Sequence, residues 1–453
     1  MDDLLSARLG FAMSLGFHII FAAIGIGMPM LMVIAELQYI RTRDEMYLTL
    51  AKRWAKGSAI LFAIGAVSGT IIAFQLGLLW PGFMRYAGSI IGMPFSLEGS
   101  AFFTEAIFLG IYLYGWDKIS PKLHVLTGGI VALSGAVSGI FVVCANAWMN
   151  NPEGFKLLPD GKTVDFNSID PFAAMFNRGW FHQTLHMTLA AYLATGAAVV
   201  GIHAYMLIRN RESSFHRKAL GISLGMMAVT ALLQPISGHI SAQHVAKYQP
   251  EKLAALEGQW ETKKGAPLRI GGYPDVETET TKYAIEIPYM LSILAFNDPH
   301  AEVKGLKAFP KDERPNPLIV HTAFQIMVGC GSALIGIALL ALFVAWRQKG
   351  VPDNIWVLRA LVAGAPLGFI AIEAGWTVTE CGRQPWIIYR VLRTADAVTP
   401  VPNLIIPMIT FMFLYLFLAA VVVALLKRQI AITDGPHAMD RIHRDEKRDL
   451  HHH

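Results

Sequence analysis

The chain is poor in cysteine and in charge. Only Cys144, Cys330 and Cys381 occur among 453 residues, and none sits in a CxxC or CxxCH spacing. That rules out a disulfide framework, a zinc ribbon and covalently attached haem c. Asp, Glu, Lys and Arg make up 16% of the chain, against about 25% in soluble domains. Proline is thinly spread at 23 residues and mean hydropathy is +0.44, which excludes a disordered, collagen-like or coiled-coil chain. Apolar residues account for 54%. A net charge of +5 and a pI of about 9.0 could suggest nucleic acid, but the basic residues lie between apolar runs. The length alone would suggest roughly two or three soluble domains; the composition instead indicates a polytopic membrane protein with an all-α fold.

Crossing a bilayer as helix takes about 20 apolar residues. Nine runs qualify, at 9–36, 57–80, 97–115, 124–147, 181–208, 219–238, 319–346, 356–379 and 403–426. The first is too long for a signal peptide and no small-residue cleavage site follows it. The runs do not alternate, which excludes a membrane barrel. Basic residues collect between runs 1 and 2 (Arg41, Arg43, Lys52, Arg53, Lys56), 5 and 6 (Arg209, Arg211, Arg217, Lys218) and 7 and 8 (Arg347, Lys349). Positive loops face the cytoplasm, so the N-terminus is expected outside and the C-terminus inside. The connection after run 8, with Arg383, Arg390 and Arg393, runs against that rule and calls for a reason other than topology.

The expected organisation is therefore membrane helices over 1–238, an outside loop over 239–318, further membrane helices over 319–426, and a cytoplasmic tail over 427–453. Of the 80 loop residues, 21 are Asp, Glu, Lys or Arg, and an interruption this long in a compact bundle is usually functional. There is no internal repeat of the kind that marks transporters. The terminal His451, His452 and His453 could be a tag remnant and carry no weight.

Ionisable groups at membrane depth cost a few kcal/mol each and are functional candidates by default. His18 follows Arg8 by ten residues; Glu98 and Glu105 are seven apart, as are Glu373 and Glu380; His182 and His186 are four apart. Seven-residue and four-residue spacings place such pairs on one helix face. In the expected orientation, His18 lies roughly 15 Å below the outer end at about 1.5 Å per residue. Glu98, Glu105, His186, Met327 and Glu380 fall in the same outer half. A lone histidine or methionine in a span is commonly a packed group, and methionine is commonly filler. His182 and His321 lie near span ends and read as interfacial. A carboxylate pair can relay protons or bind ions without a cofactor. The set together, with His, Met and carboxylates at one depth, suits axial haem ligation beside a proton supply. Without further information, an oxidase, a di-haem cytochrome b with a non-oxygen acceptor and a proton-coupled transporter all remain open.

The segments GWTVTECGRQPW (375–386), EGSAFFTEAIFLGIYLYGW (98–116), VVCANAWMNNP (142–152) and PEKLAALEGQWET (250–262) closely resemble subunit I of the cytochrome bd-type quinol oxidases, and the resemblance covers all nine runs. It implies a terminal respiratory oxidase that oxidises membrane quinol, ubiquinol or menaquinol, at an outside Q-loop and reduces dioxygen to water without pumping protons. It implies a low-spin haem b, a high-spin haem b and a haem d, or a further haem b in place of haem d. It also implies a homologous subunit II, small single-span accessory subunits, surrounding membrane lipid, and residence in a bacterial or archaeal cytoplasmic membrane; nucleic acid is not among the partners.

Carried over by position, the resemblance makes His186 and Met327 the axial pair of the low-spin haem, and His18 and Glu380 the ligands of the two high-spin haems. Which haem each of the latter binds stays open. It puts Glu98, Glu105, Ser138, Trp376 and Arg383 beside the haems or the proton route. Arg8 and Asn146 become haem-side polar groups, and Lys252 and Glu257 the quinol-linked residues. The loop is of the short form. Gln325 stands where many relatives have an arginine, which removes a cation near the low-spin haem. The segment 250–262 reads as a short amphipathic helix with Leu253, Leu256 and Trp260 on its apolar side.

Overall fold

A computed structural model of the chain describes residues 2–160 and 163–433. The expected tail beyond Thr433, with the terminal histidines, lies outside the described residues.

The chain folds into long helices α1 (Asp3–Thr42), α2 (Glu45–Leu79), α3 (Pro81–Tyr114) and α4 (Pro121–Asn150). After a short α5 (Pro171–Met175) come α6 (Trp180–Arg209) and α7 (Ser214–Tyr248). The loop contributes α8 (Pro250–Leu256) and α9 (Met290–Phe296). Then follow α10 (Pro317–Gln348), α11 (Ile355–Gly364), α12 (Leu367–Cys381) and α13 (Ile405–Ile432).

Local chemistry explains the tight reversals. Between α1 and α2, Arg43 takes a left-handed conformation (φ 58°) and Asp44 caps α2 by accepting from the Met46 N–H. Pro81, Pro121 and Pro317 open their helices, where a missing N–H costs nothing, and Ser120 and Asn316 cap two of them. Each such cap contributes about 1 kcal/mol.

Among the described residues, eight helices are long and apolar enough to cross a membrane. The run at 97–115 is the exception. It lies in α3, whose 34 residues span about 51 Å at 1.5 Å per residue, but α3 carries Ser96, Glu98, Ser100, Thr104 and Glu105 in sequence. The polar residues that make this segment a site candidate are those that dilute its hydropathy.

Helix α1 is central, packing on α2, α4, α6 and α13. Close approaches depend on small residues, as is usual where helices meet in lipid. A Cβ on Gly368 of α12 would come within 2.5 Å of the Ala194 Cα on α6. Helix α10 packs in turn on α12, so α6, α10 and α12 converge.

The loop is more folded than its charge suggested. Helix α7 runs on to Tyr248 rather than ending at 238. The helix expected over 250–262 stops at Leu256. Gly258 (φ 56°) ends it, with the Gln259 N–H reaching the Ala254 carbonyl at 2.8 Å, a Schellman-type closure. Nor is α8 a surface helix with one apolar side: every residue from Glu251 to Leu256 is buried. The reason is the rest of the loop, which folds back over it. A Cβ on Gly305 would sit 2.3 Å from the Trp260 carbonyl oxygen, and the Leu306 N–H bonds the Gln259 carbonyl at 2.9 Å.

Candidate functional site

Two of the histidines singled out above are held by the same device. His18 Nδ1 on α1 lies 3.0 Å from Ser68 Oγ on α2, and that hydroxyl donates to the Ile64 carbonyl at 2.9 Å. A hydroxyl has one proton, so Ser68 accepts, His18 Nδ1 carries the ring proton, and Nε2 keeps its lone pair. His186 on α6 repeats this: Nδ1 is 2.9 Å from Ser237 Oγ, which donates to the Gln234 carbonyl at 2.9 Å. The Gln234 amide nitrogen lies 3.3 Å from His186 Nδ1 and 3.2 Å from Nε2 and favours neither, so the serine sets the tautomer. This tautomer is one that suits metal ligation through Nε2, with the second nitrogen anchored by a neighbour. Glycine stands beside both rings: a Cβ on Gly69 would be 3.0 Å from His18 Cε1, and one on Gly238 would be 3.4 Å from His186 Cε1.

Met327 on α10 turns its sulfur toward α12 at Gly375, where a Cβ would come within 3.1 Å of Sδ. Trp376 is half-buried and packs against the cluster of Ile19, Ala191 and Ile372. Glu380 is held at both oxygens, by Asn146 Nδ2 at 2.5 Å and by Arg383 Nη2 at 2.5 Å. Arg383 is 1% exposed, so one of the three basic groups that broke the charge rule is a buried partner of Glu380. Glu98 accepts from Ser138 Oγ at 3.3 Å. Glu105 is buried, and Gly135 of α4 makes room for it: a Cβ there would be 3.2 Å from Oε1. The two carboxylates thus face α4 one above the other. Arg8 is exposed on α1.

The loop residues form a second group. Lys252 Nζ donates to Asn150 Oδ1 at 2.7 Å, and Glu257 Oε2 is buried without a hydrogen-bond partner among the described residues. Both residues are 4% exposed. Burial, reinforced by the Arg383 guanidinium, lowers the Lys252 ammonium to about 7. Burial raises the Glu257 carboxyl to about 8, partly opposed by Arg269. Each group is therefore near its midpoint close to neutral pH, where proton donors and acceptors work best.

His321 and Gln325 on α10 hold this loop in place. His321 Nδ1 is 2.6 Å from the Leu256 carbonyl and Nε2 is 3.0 Å from the Gly271 carbonyl. Gln325 accepts from the Gly271 N–H at 2.9 Å and donates to the Arg269 carbonyl at 3.1 Å. Both ends of its amide thus bind loop backbone.

His182 and His321, expected at the interface, are buried at 5% and 0% exposure because the folded loop and α7 cover them. Sequence reasoning missed Asn150, the partner of Lys252, although it lies in the quoted segment 142–152. It also missed His244, whose ring lies 4.2 Å from that of His182. The four-residue spacing to His186 singled out His182, whereas no spacing in the sequence marks His244 on α7.

Known proteins resemble this chain over nearly its whole length. The family described as Cytochrome bd terminal oxidase subunit I matches residues 6–434. A putative cytochrome bd menaquinol oxidase subunit I of Bacillus subtilis is 43% identical over 94% of this chain and 96% of its own length. A cytochrome bd ubiquinol oxidase subunit 1 of the same organism is 32% identical over 95% of this chain and 94% of its own. The solved bd oxidase from Geobacillus thermodenitrificans has a chain 40% identical to this one, with a TM-score of 0.89 over 95% of this chain and 98% of that one.

Proposed function

The chain belongs to the cytochrome bd terminal oxidase subunit I family and is thus the haem-bearing oxidoreductase subunit of a quinol oxidase, and from that premise we propose how its residues divide the work. His186 and Met327 hold the low-spin haem b, and His18 and Glu380 each hold one of the two high-spin haems, a haem b and a haem d or second haem b. The observation that carries this reading is the tautomer of the two histidines, each with Nδ1 donating to a back-bonded serine and Nε2 left as a lone pair. When bound, the haems supply electron transfer and dioxygen reduction. Asn146 and Arg383 orient Glu380 through its two oxygens.

Glu257 accepts a quinol proton and Lys252 hydrogen-bonds the other quinol oxygen, with Asn150 positioning the amine. Glu98 and Glu105, facing α4 in line, hold protons for the oxygen site, with Ser138 donating to the first. Because protons for water come from inside and quinol protons leave outside, the reaction is electrogenic without pumping. Nine spans, with α3 as the ninth, an outside N-terminus and loop, and a cytoplasmic C-terminus fit this chemistry. The working assembly includes a homologous subunit II in the bacterial or archaeal cytoplasmic membrane, with small accessory subunits beside it.

The test is a reduced-minus-oxidised visible spectrum of the isolated assembly together with quinol-driven oxygen consumption. Three haem signals with a far-red chlorin band, or three b-type signals, and oxygen uptake are expected. Two b-type signals without oxygen uptake would refute the oxygen chemistry.

A further inference from the structure

A third histidine is built like the two proposed ligands. His182 lies on α6 one turn before His186 and is 5% exposed. Its Nδ1 is 3.1 Å from Ser241 Oγ, and that hydroxyl donates to the Ser237 carbonyl at 3.0 Å. Nδ1 therefore donates, and Nε2 is buried with no hydrogen-bond partner among the described residues. A buried polar atom left unpaired is costly, so this nitrogen calls for a partner that the protein chain does not supply.

The surroundings say which kind. Polar groups flank His186 toward the start of α6: His182, Ser241, and His244, whose Nε2 is 3.0 Å from Asn151 Oδ1. Nearby stands Lys252, a buried amine bonded to the neutral Asn150. In the other direction no charged side chain follows for several turns of α6, and Ala190, Ala191 and Ala194 pack against Ile19 and Ile372. A haem has one charged edge, carrying two propionate carboxylates, and an ionised carboxylate is not tolerated among alanine and isoleucine without partners. For a haem held by His186, partners for that edge would be found on the side of His182. Gln325 carries no charge to compensate it, and its amide is tied to loop backbone through both its oxygen and its nitrogen.

We infer that His182 Nε2 is hydrogen-bonded to a propionate of the low-spin haem, the imidazole and the carboxylate holding one proton between them. The inference rests on the reading of His186 as that haem's ligand. It makes His182 a positioning and charge-compensating residue. A proton held beside the haem favours the reduced, more negative iron centre, so it raises the haem's potential and eases electron acceptance.

The experiment is a spectroelectrochemical titration of the low-spin haem in the complete oxidase, with infrared redox-difference spectra using haem labelled with carbon-13 at the propionates. His182→Phe should lower the midpoint potential and shift the labelled carboxylate band. His182→Gln keeps a donor but cannot hold the proton, and should give a smaller downward shift. If His182→Phe fails to assemble, His182→Gln decides by the same two readouts. A midpoint and a band both unchanged, or a midpoint that rises, overturns the inference. His186→Ala separates the two levels: a surviving low-spin spectrum in that variant refutes the ligand reading itself. A lost spectrum there, with His182 variants unchanged in potential and band, refutes the His182 inference alone.

Discussion

Quinol oxidation should follow a pH profile set by two groups whose order is inverted. Glu257 must be ionised to accept a proton and Lys252 must be charged to donate best, yet Glu257 is raised to about 8 and Lys252 is lowered to about 7. The base is therefore mostly protonated where the acid is charged. At pH 6 roughly 1% of Glu257 is ionised, at pH 7 roughly 10% and at pH 8 about half, while the charged fraction of Lys252 falls from about 90% to about 10% over the same range. The productive combination is a minority of the enzyme and peaks between the two values, falling tenfold per unit beyond each limb. The assay is kcat/KM for quinol across pH, run beside an artificial donor that bypasses the loop. Glu257→Gln should lower quinol turnover by about 10²–10⁴-fold, the range for a lost general base, and should abolish the acid limb. Lys252→Met should abolish the alkaline limb. The haem spectrum and the bypass activity should survive both changes. A bell of the same shape with the bypass donor, or an acid limb that persists in Glu257→Gln, would refute the reasoning.

Other consequences follow from single contacts. Met327→Leu should remove the low-spin signal or convert it to high-spin, read in the visible spectrum, while carbon monoxide binding at the other haems is retained. His18→Ala should abolish carbon monoxide binding at one high-spin haem and spare the low-spin signal; full oxidase activity in that variant would contradict its role. His321→Ala deletes a ring whose nitrogens lie 2.6 and 3.0 Å from two loop carbonyls, a neutral imidazole donating to one of them, and the loss is worth roughly 1–3 kcal/mol. It should raise KM for quinol and speed amide hydrogen exchange over residues 256–271, with the haem spectrum unchanged. Single cysteines at Lys304 and Arg211 should be labelled by a membrane-impermeant thiol reagent from opposite sides, outside and cytoplasmic respectively.

The membrane helices were legible because one physical requirement, unbroken apolar length, shows directly in a sequence. Helix α3 marks the limit of that signal, since Glu98, Glu105 and their polar neighbours lower its hydropathy while leaving a helix of 34 residues. The loop was much less legible. Its charge suggested a solvated surface, and the spacing of Leu253, Leu256 and Trp260 suggested a helix with one wet side. Burial of α8 on all sides depends instead on Gly305 lying on the Trp260 backbone and on His321 and Gln325 reaching across from α10. These contacts join residues far apart in sequence, 50 and 54 positions for those made by His321 and Gln325 to Gly271, and no local pattern encodes them. The same covering buries His321 and shifts Lys252 and Glu257 toward neutrality.

The serines carry the least visible part of the site. In a membrane helix a serine can satisfy its own proton on the carbonyl three or four residues back, and on its own that is unremarkable. Ser68, Ser237 and Ser241 each do so, and each then presents only an acceptor to a histidine on a neighbouring helix. The helix backbone thus decides which nitrogen of His18, His186 and His182 keeps a lone pair. Replacing Ser237 by alanine leaves the ligand in place but frees its tautomer, since His186 Nδ1 loses the acceptor at 2.9 Å. The Gln234 amide, 3.3 Å from Nδ1 and 3.2 Å from Nε2, then has equal claim on either nitrogen. A histidine in a span announces itself in sequence; the serine that makes it a ligand does not, because its meaning depends on which helix lies opposite.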